Sequence, residues 1–584
     1  MKKLFSVLLL AFFVCSSTFL NAQYQENALL LKIGDDVITL GEFLNSYQKN
    51  NNLADAKNED LEEYLDLYIN FLLKVKEGKT LQIDTAKAFA MELEAYKNQS
   101  AQQYLIDKDV SDKIVDEAIE RMRYNIRASH ILIECDPGAS PADTAKAYNK
   151  ALDIRKKIVN KEYTFNDAAI KYSEDRSVRD IIDPSTGRKQ YGNKGDLGYF
   201  SAFNLIYPFE TAAYNTPVGE ISMPVRTQFG YHLIYVQDRI PGVALITVSQ
   251  IFIADELGAE GKMSAATEEK LKAIERKLRE GAAFGQLVQE YSEDEASKEN
   301  NGQLQPFPPN RRTGDFVKTA LNLKPGEISK PVSSTLGWHI LEMVEVHPVV
   351  LDDERKYMVK TRVSRDPRSH LSKSSLVSKL KVEYNYKEVD NGKFLSFLAS
   401  NIPSAFFSNS DVDLKAIEGI DKFNVVATYA DRQITMANFL DYLNRFQGTG
   451  YAGAPIDFIR ERFDAYCENE IINYEKTQLE RKYPEYKALV KEYHDGMILY
   501  EINSKMVWNK AIQDSVGIVN YYEKIKTNYP VKGSNPVEYQ SLDNIRAIVI
   551  TAYQDYLDKV WVSELKKKYN ITVNREAFQT ILKK

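Results

Sequence analysis

Cysteine is nearly absent from this chain: Cys15, Cys135 and Cys467 are the only three in 584 residues. Thiols so far apart make no disulfide framework, and none has a Cys or His neighbour at metal-ligand spacing, so stability must come from packing. Histidine is almost as scarce, with six in all. No His-Glu-x-x-His occurs, which leaves a zinc peptidase unsupported, and the want of a nucleophile elbow or an activated cysteine argues against a hydrolase. Past residue 22 no stretch holds 18 uncharged apolar residues, so no membrane span is expected after that point. The charge is mildly acidic, 76 Lys and Arg against 82 Asp and Glu, with no basic face to meet nucleic acid. Neither a metal nor a small-molecule cofactor is expected.

What is present begins with a leader. Lys2-Lys3 precede an apolar run from Leu4 to Val14, and Asn21-Ala22 offers a small-residue cleavage site before Gln23. This reads as a secretory signal over 1–22. Its removal takes away Lys2 and Lys3 and shifts the net charge from −6 to −8.

A long internal repeat follows. Phe165, Tyr172 and Asp175 recur as Phe284, Tyr291 and Asp294, each 119 positions later. Gly195, Leu197, Gly219-Glu220-Ile221-Ser222 and Gly230-Tyr231-His232 recur as Gly302, Leu304, Gly326-Glu327-Ile328-Ser329 and Gly337-Trp338-His339, each 107 later. The first copy therefore holds 12 extra residues between Asp175 and Gly195, with the turn chemistry of Asp183-Pro184-Ser185-Thr186-Gly187 pointing to an inserted surface loop.

Each copy opens and closes on a strand-like run, with helices between. Ser140-Pro141 with Asp143 forms a helix start, and Ala145, Tyr148, Leu152 and Val159 are expected on its buried face. Strands first and last predict a small antiparallel sheet with helices packed on it. The fold class is α+β. Two tandem modules, 125–240 and 244–348, lie between helical arms over 23–124 and 349–584. A strand, threonine cap and helix at Ile33–Leu44 recur at Tyr429–Leu440, 396 positions on. The arms are expected to pack together as one discontinuous helical domain.

Specific motifs run through the first module: Ser-His-Ile-Leu at 129–132, Tyr-Ser-Glu-Asp at 172–175, Gly-Asp-Leu-Gly-Tyr-Phe at 195–200, Pro-Phe-Glu at 208–210, Val-Gly-Glu-Ile-Ser at 218–222 and Gly-Tyr-His-Leu-Ile at 230–234. In these the chain resembles the parvulin (rotamase, PpiC-type) family of peptidyl-prolyl cis–trans isomerases. Two such modules between helical arms, behind a signal peptide, are similar in layout to periplasmic folding factors. The resemblance implies His130, Asp175, Thr227 and His232 as the catalytic cluster, and Leu197, Leu205, Phe209 and Phe229 as the lining of a proline pocket. It implies unfolded or partly folded secreted and outer-membrane polypeptides as partners. In the second module Gln250 takes the place of His130 and Arg312 that of Leu205, while Phe316 and His339 remain, so only the first module is expected to catalyse. Two classes of function stand: an isomerase with chaperone activity, or a non-catalytic peptide-binding chaperone using the fold as a scaffold.

Overall fold

The computed structural model describes residues 27–49, 57–182, 189–255, 262–312, 314–408, 411–451, 453–534 and 536–582. The leader over 1–22 and the turn at 183–187 lie outside these. Among the described residues no helix is long and apolar enough to cross a membrane. The architecture is α+β, with small antiparallel sheets, as the periodicity suggests.

The chain divides into two units, one joining the residues up to Gln103 with Thr477–Lys584, the other Tyr104–Lys476. In the first unit both ends of the chain close one core. The strand Leu29–Ile33 is flanked by Asp36–Thr39 on one side and by Ile571–Val573 on the other, all antiparallel. Thr39 caps the helix Leu40–Gln48 in a reciprocal box. Its hydroxyl accepts from the Glu42 N–H at 3.2 Å, and the Glu42 carboxylate accepts from the Thr39 N–H at 2.9 Å. Leu30, Phe43, Leu65, Ile502, Trp561 and Phe578 share the core that results. The echo at Val425–Tyr429, Arg432–Thr435 and Met436–Leu443 repeats this hairpin, cap and helix, with Thr435 accepting from Asn438.

The arms do not divide where the sequence pattern placed them. The helix Lys108–Met122 belongs to the second unit, because Ile114 and Ala118 bury their apolar face against Val359 and Val363 of Asp353–Arg365. The segment from 349 to Lys476 also lies in that unit, around Phe394, Phe406, Phe439 and Phe463.

The first module's sheet has the order Asp196–Phe200, Tyr124–Glu134, Gly230–Pro241, Val225–Thr227, antiparallel throughout. The helix Pro141–Val159 is capped by Ser140, with proline in its first turn, as its opening residues indicate. Its buried face is different from the one expected: Ala147, Ala151, Ile154 and Ile158 face the sheet, and Val159 is exposed. The two alanines let the helix lie close to the strands, and this outweighs the larger side chains one step around. In the second module Gly337–Pro348 pairs with Val243–Ala254 and Val332–Ser333. Here Leu271 and Ile274 are buried. The modules share a core: Tyr199 of the first is buried with Val248, Phe307, Phe316 and Leu341 of the second, its hydroxyl donating to Asp238 at 2.6 Å. Arg127 bridges them as well, pairing with Asp196 at 2.6 Å and Asp315 at 2.9 Å.

Two glycines in the first unit make opposite predictions. A Cβ on Gly78 would lie 2.2 Å from Ile498 Cγ2, whereas Gly496 faces open space. Gly78→Ala should therefore destabilise the protein by about 1–3 kcal/mol through overpacking. Gly496→Ala should stabilise it by roughly 0.5–1 kcal/mol through helix propensity. Thermal unfolding of the two variants beside the parent checks both signs.

Candidate active site

Strand pairing sets the centre of the first module. His130 stands opposite Ile234 and His232 opposite Leu132, so the two imidazoles lie two residues apart on neighbouring strands and on one face of the sheet. Their Nδ1 atoms are 3.3 Å apart and both rings are buried. The turn after the helix Phe165–Tyr172 presents Asp175, whose Oδ2 is 2.8 Å from His130 Nε2 and whose Oδ1 accepts the Ser177 N–H at 2.8 Å. At the other end Thr227 Oγ1 is 2.8 Å from His232 Nε2 and accepts the Phe229 N–H at 3.1 Å.

The protonation states follow from this network. The hydrogen bond from His130 holds the Asp175 carboxyl far below the usual carboxylate range. Burial, helped by the neighbouring His130 ring, pushes His232 from 6.5 down to about 3, so it is neutral. An ionised Asp175 accepts from His130 Nε2–H, and from there the polar atoms run without a break through the two Nδ1 atoms to His232 Nε2 and the Thr227 hydroxyl.

Phe209 covers the pair edge-on, its centroid 5.8 Å from that of His130 and 5.3 Å from that of His232. Leu197 and Leu205 pack beside it, half-buried. Phe229 is not drawn into that cluster: its ring is 53 % exposed on the turn before the strand. The structure thus brings together His130, Asp175, Thr227, His232, Leu197, Leu205 and Phe209, and leaves Phe229 at the rim.

The support behind Phe209 was not legible from the motifs alone. Glu210, next in the chain, is wholly buried and accepts from Arg121 Nη1 at 2.8 Å, from Arg368 Nη1 and Nη2 at 3.2 and 3.1 Å, and from the Phe203 N–H at 2.7 Å. Arg368 also binds Asp366 at 2.8 Å and lies 4.2 Å from the centroid of Phe203. Pro-Phe-Glu marks Glu210, but Arg368 stands 158 residues away, and nothing local in the sequence joins them.

The second module keeps the chain in altered chemistry. Gln250 Nε2 donates to Asp294 at 2.6 Å, Gln250 Oε1 is 2.9 Å from His339 Nδ1, and His339 Nε2 is 2.8 Å from Ser334 Oγ. Glutamine thus fills the place of His130 and serine that of Thr227. Arg312 lies 5.4 Å from the Phe307 centroid and 5.5 Å from that of Phe316, where the first module has Leu205.

Residues 130–238 and 247–345 match the rotamase family, described as PPIC-type PPIASE domain. The chain is similar to the chaperone SurA of Pseudomonas putida, 26 % identical over 226 residues, which is 38 % of this chain and 50 % of that one. It is similar to the foldase protein PrsA 2 of Listeria monocytogenes, 38 % identical over 140 residues, 24 % of this chain and 43 % of that one. A solved peptidylprolyl isomerase, PrsA from Bacillus anthracis, aligns at 30 % identity over 24 % of this chain and 60 % of that one, with a TM-score of 0.17. The chain spans about half or less of the length of these curated relatives.

Two expectations follow from the geometry. Arg368→Met in the full chain should cost about 3–5 kcal/mol, because it leaves the Glu210 charge less compensated in the interior. A double-mutant cycle with Glu210→Gln, read by urea unfolding, should show strong coupling. The second concerns pH. His232 is neutral in the fold down to about 3 but takes a proton near 6.5 when unfolded, so the unfolded chain binds more protons between those values. Stability should fall as pH drops from about 6.5 toward 3, Asp175 adding to the loss at the acid end. Urea midpoints across that range should decline less steeply in His232→Gln.

Proposed function

We propose that this protein is a parvulin-type peptidyl-prolyl cis–trans isomerase and folding chaperone for secreted and outer-membrane polypeptides, exported to the periplasm by its leader and catalysing through the first of its two PPIC-type rotamase domains. The observation that carries this reading is the chain Asp175–His130–His232–Thr227, its imidazoles and hydroxyl buried and its carboxylate partly exposed, lying under Phe209 beside Leu197 and Leu205. An X-Pro bond turns slowly because rotation must break amide resonance, a barrier of about 18–20 kcal/mol. A twisted amide is less polar than a planar one. A site that binds the twisted form better by ~1.4 kcal/mol speeds rotation about tenfold with no nucleophile and no metal. Leu205 and Phe209 grip the pyrrolidine ring and exclude water. The polar floor orients the flanking carbonyl, and its groups, already held in place by one another, need no reorganisation as the bond turns. Phe229, at the rim, touches the residues that flank proline.

The chaperone half of the reading rests on the first unit. Two clefts of about 560 and 550 Å³ run along the helix Pro484–Asn503 and share Glu492 and Gly496. Tyr96, Tyr493 and Tyr500 line one, and Tyr64, Leu67 and Phe71 the other, with Tyr96 and Tyr493 stacked 3.6 Å apart. Leu67 and Tyr500 are 58 % and 62 % exposed, apolar surface of the kind that holds unfolded segments.

In a proline-limited refolding assay on the full chain, His130→Ala or His232→Ala should lower turnover by at least about tenfold, and Leu205→Ala/Phe209→Ala should weaken substrate affinity as well. His339→Ala should leave turnover unchanged. Full activity in the Leu205→Ala/Phe209→Ala protein would overturn the assignment to the first module. Suppression of aggregation, measured on the same samples, should survive loss of both histidines and decline in Gly496→Trp, whose indole fills the shared cleft.

A further inference from the structure

In the second module the residues of the site surround a cavity of about 620 Å³. Asp294, Gln250 and His339 of the polar chain line it, and its apolar wall includes Phe252, Leu304 and Phe307. At its mouth stands Arg312, exposed, with Arg311 beside it. Among the described residues Arg312 makes no ion pair; its guanidinium lies over the rings of Phe307 and Phe316, and its charge acts at longer range on Asp294 and His339. Asp294 feels that charge but does not pair with it: its Oδ2 accepts from Gln250 Nε2 and from Ser297 Oγ, both at 2.6 Å.

A guanidinium held near two aromatic rings has fewer orientations to lose when it binds, and its planar fork matches a carboxylate with two parallel hydrogen bonds. A pyrrolidine in the same place would have to sit against that charge, so this cavity rejects the ligand that the first module's cup accepts. The wall beside Arg312 remains apolar and aromatic. The charge and the wall together describe one occupant.

We infer that the second module is a receptor for an extended peptide carrying a carboxylate next to an aromatic or aliphatic side chain, the carboxylate seated on Arg312 and the apolar side chain against Phe252 and Leu304. The inference rests on the reading that only the first module catalyses. It gives the second a ligand of its own: an acidic stretch of a client, held beside the proline that the first module turns. The carboxylate comes either from an Asp or Glu side chain or from a chain terminus, and the test separates the two.

Three fluorescein-labelled pentapeptides serve as probes with the full chain: Gly-Phe-Glu-Phe-Gly amide, Gly-Phe-Gln-Phe-Gly amide, and Gly-Phe-Gln-Phe-Gly free acid. Fluorescence anisotropy should show the Glu amide bound at least about tenfold more tightly than the Gln amide, the difference shrinking with salt. Arg312→Leu, which restores the residue type of the first module, should abolish that preference, and Arg312→Lys should keep part of it. If the free acid shows the preference in place of the Glu amide, the site reads a chain end. Equal binding of all three probes, or a preference that persists in Arg312→Leu, would overturn the proposal. Isomerase turnover measured on the same Arg312→Leu sample should be unchanged; a fall there would strike the division of labour between modules, independently of the binding result.

Discussion

The candidate site depends on a carboxylate that touches no substrate. Glu210 is fully buried, and an isolated charge in that position would be untenable. It is held by Arg121 from the helix before the first module and by Arg368 from the segment after the second. Removing two charges from water is costly, and their attraction offsets the cost only with close geometry and full hydrogen bonding. Both conditions are met, since the Phe203 N–H supplies a further donor. The helix Tyr207–Asn215 is therefore fixed at the residue adjacent to Phe209, and Phe209 in turn fixes the roof over the histidines. The family boundaries at 130–238 enclose the chemistry but exclude both arginines.

The two modules show how one scaffold carries different electrical properties. Imidazole and carboxamide both span from a carboxylate on one side to a second imidazole on the other, so Gln250 replaces His130 with the path of hydrogen bonds intact. The groups differ in what they permit. An imidazole can exchange which nitrogen bears hydrogen and can take a second proton, whereas an amide has one donor end and one acceptor end. Gln250 therefore locks its chain in a single sense. His339, driven down to about 4 by burial and by the charge of Arg312, is held neutral within it.

Much of this was legible in the sequence, for identifiable reasons. The repeat and the antiparallel sheet built on a first and a last strand in each module follow from period-two patterns and recurring motifs, and the two histidines were marked by the family resemblance. The cap at Ser140 was readable because capping is local chemistry within four residues. The buried face of the helix it starts was not, because alanines at 147 and 151 win by allowing close approach, which hydrophobicity alone does not register. The division of the arms escaped for a similar reason. An apolar stripe such as that of Ile114 and Ala118 says that a helix is buried, never against which partner. Arg368 escaped altogether, since one arginine among many carries no mark of burial.

Tyr199 carries a consequence for how the tandem behaves as a material. Its ring belongs by sequence to the first module and by packing to the hydrophobic core of the second. Neither module can loosen without uncovering apolar surface of the other, so the free energy of opening one is borne partly by its neighbour. The pair is then a single cooperative block, unlike two beads on a string, and exchange of its slowest amide hydrogens reports the stability of both modules at once. A mutation that weakens the module without the histidine pair is felt in the module that has it, although the two sites share no residue.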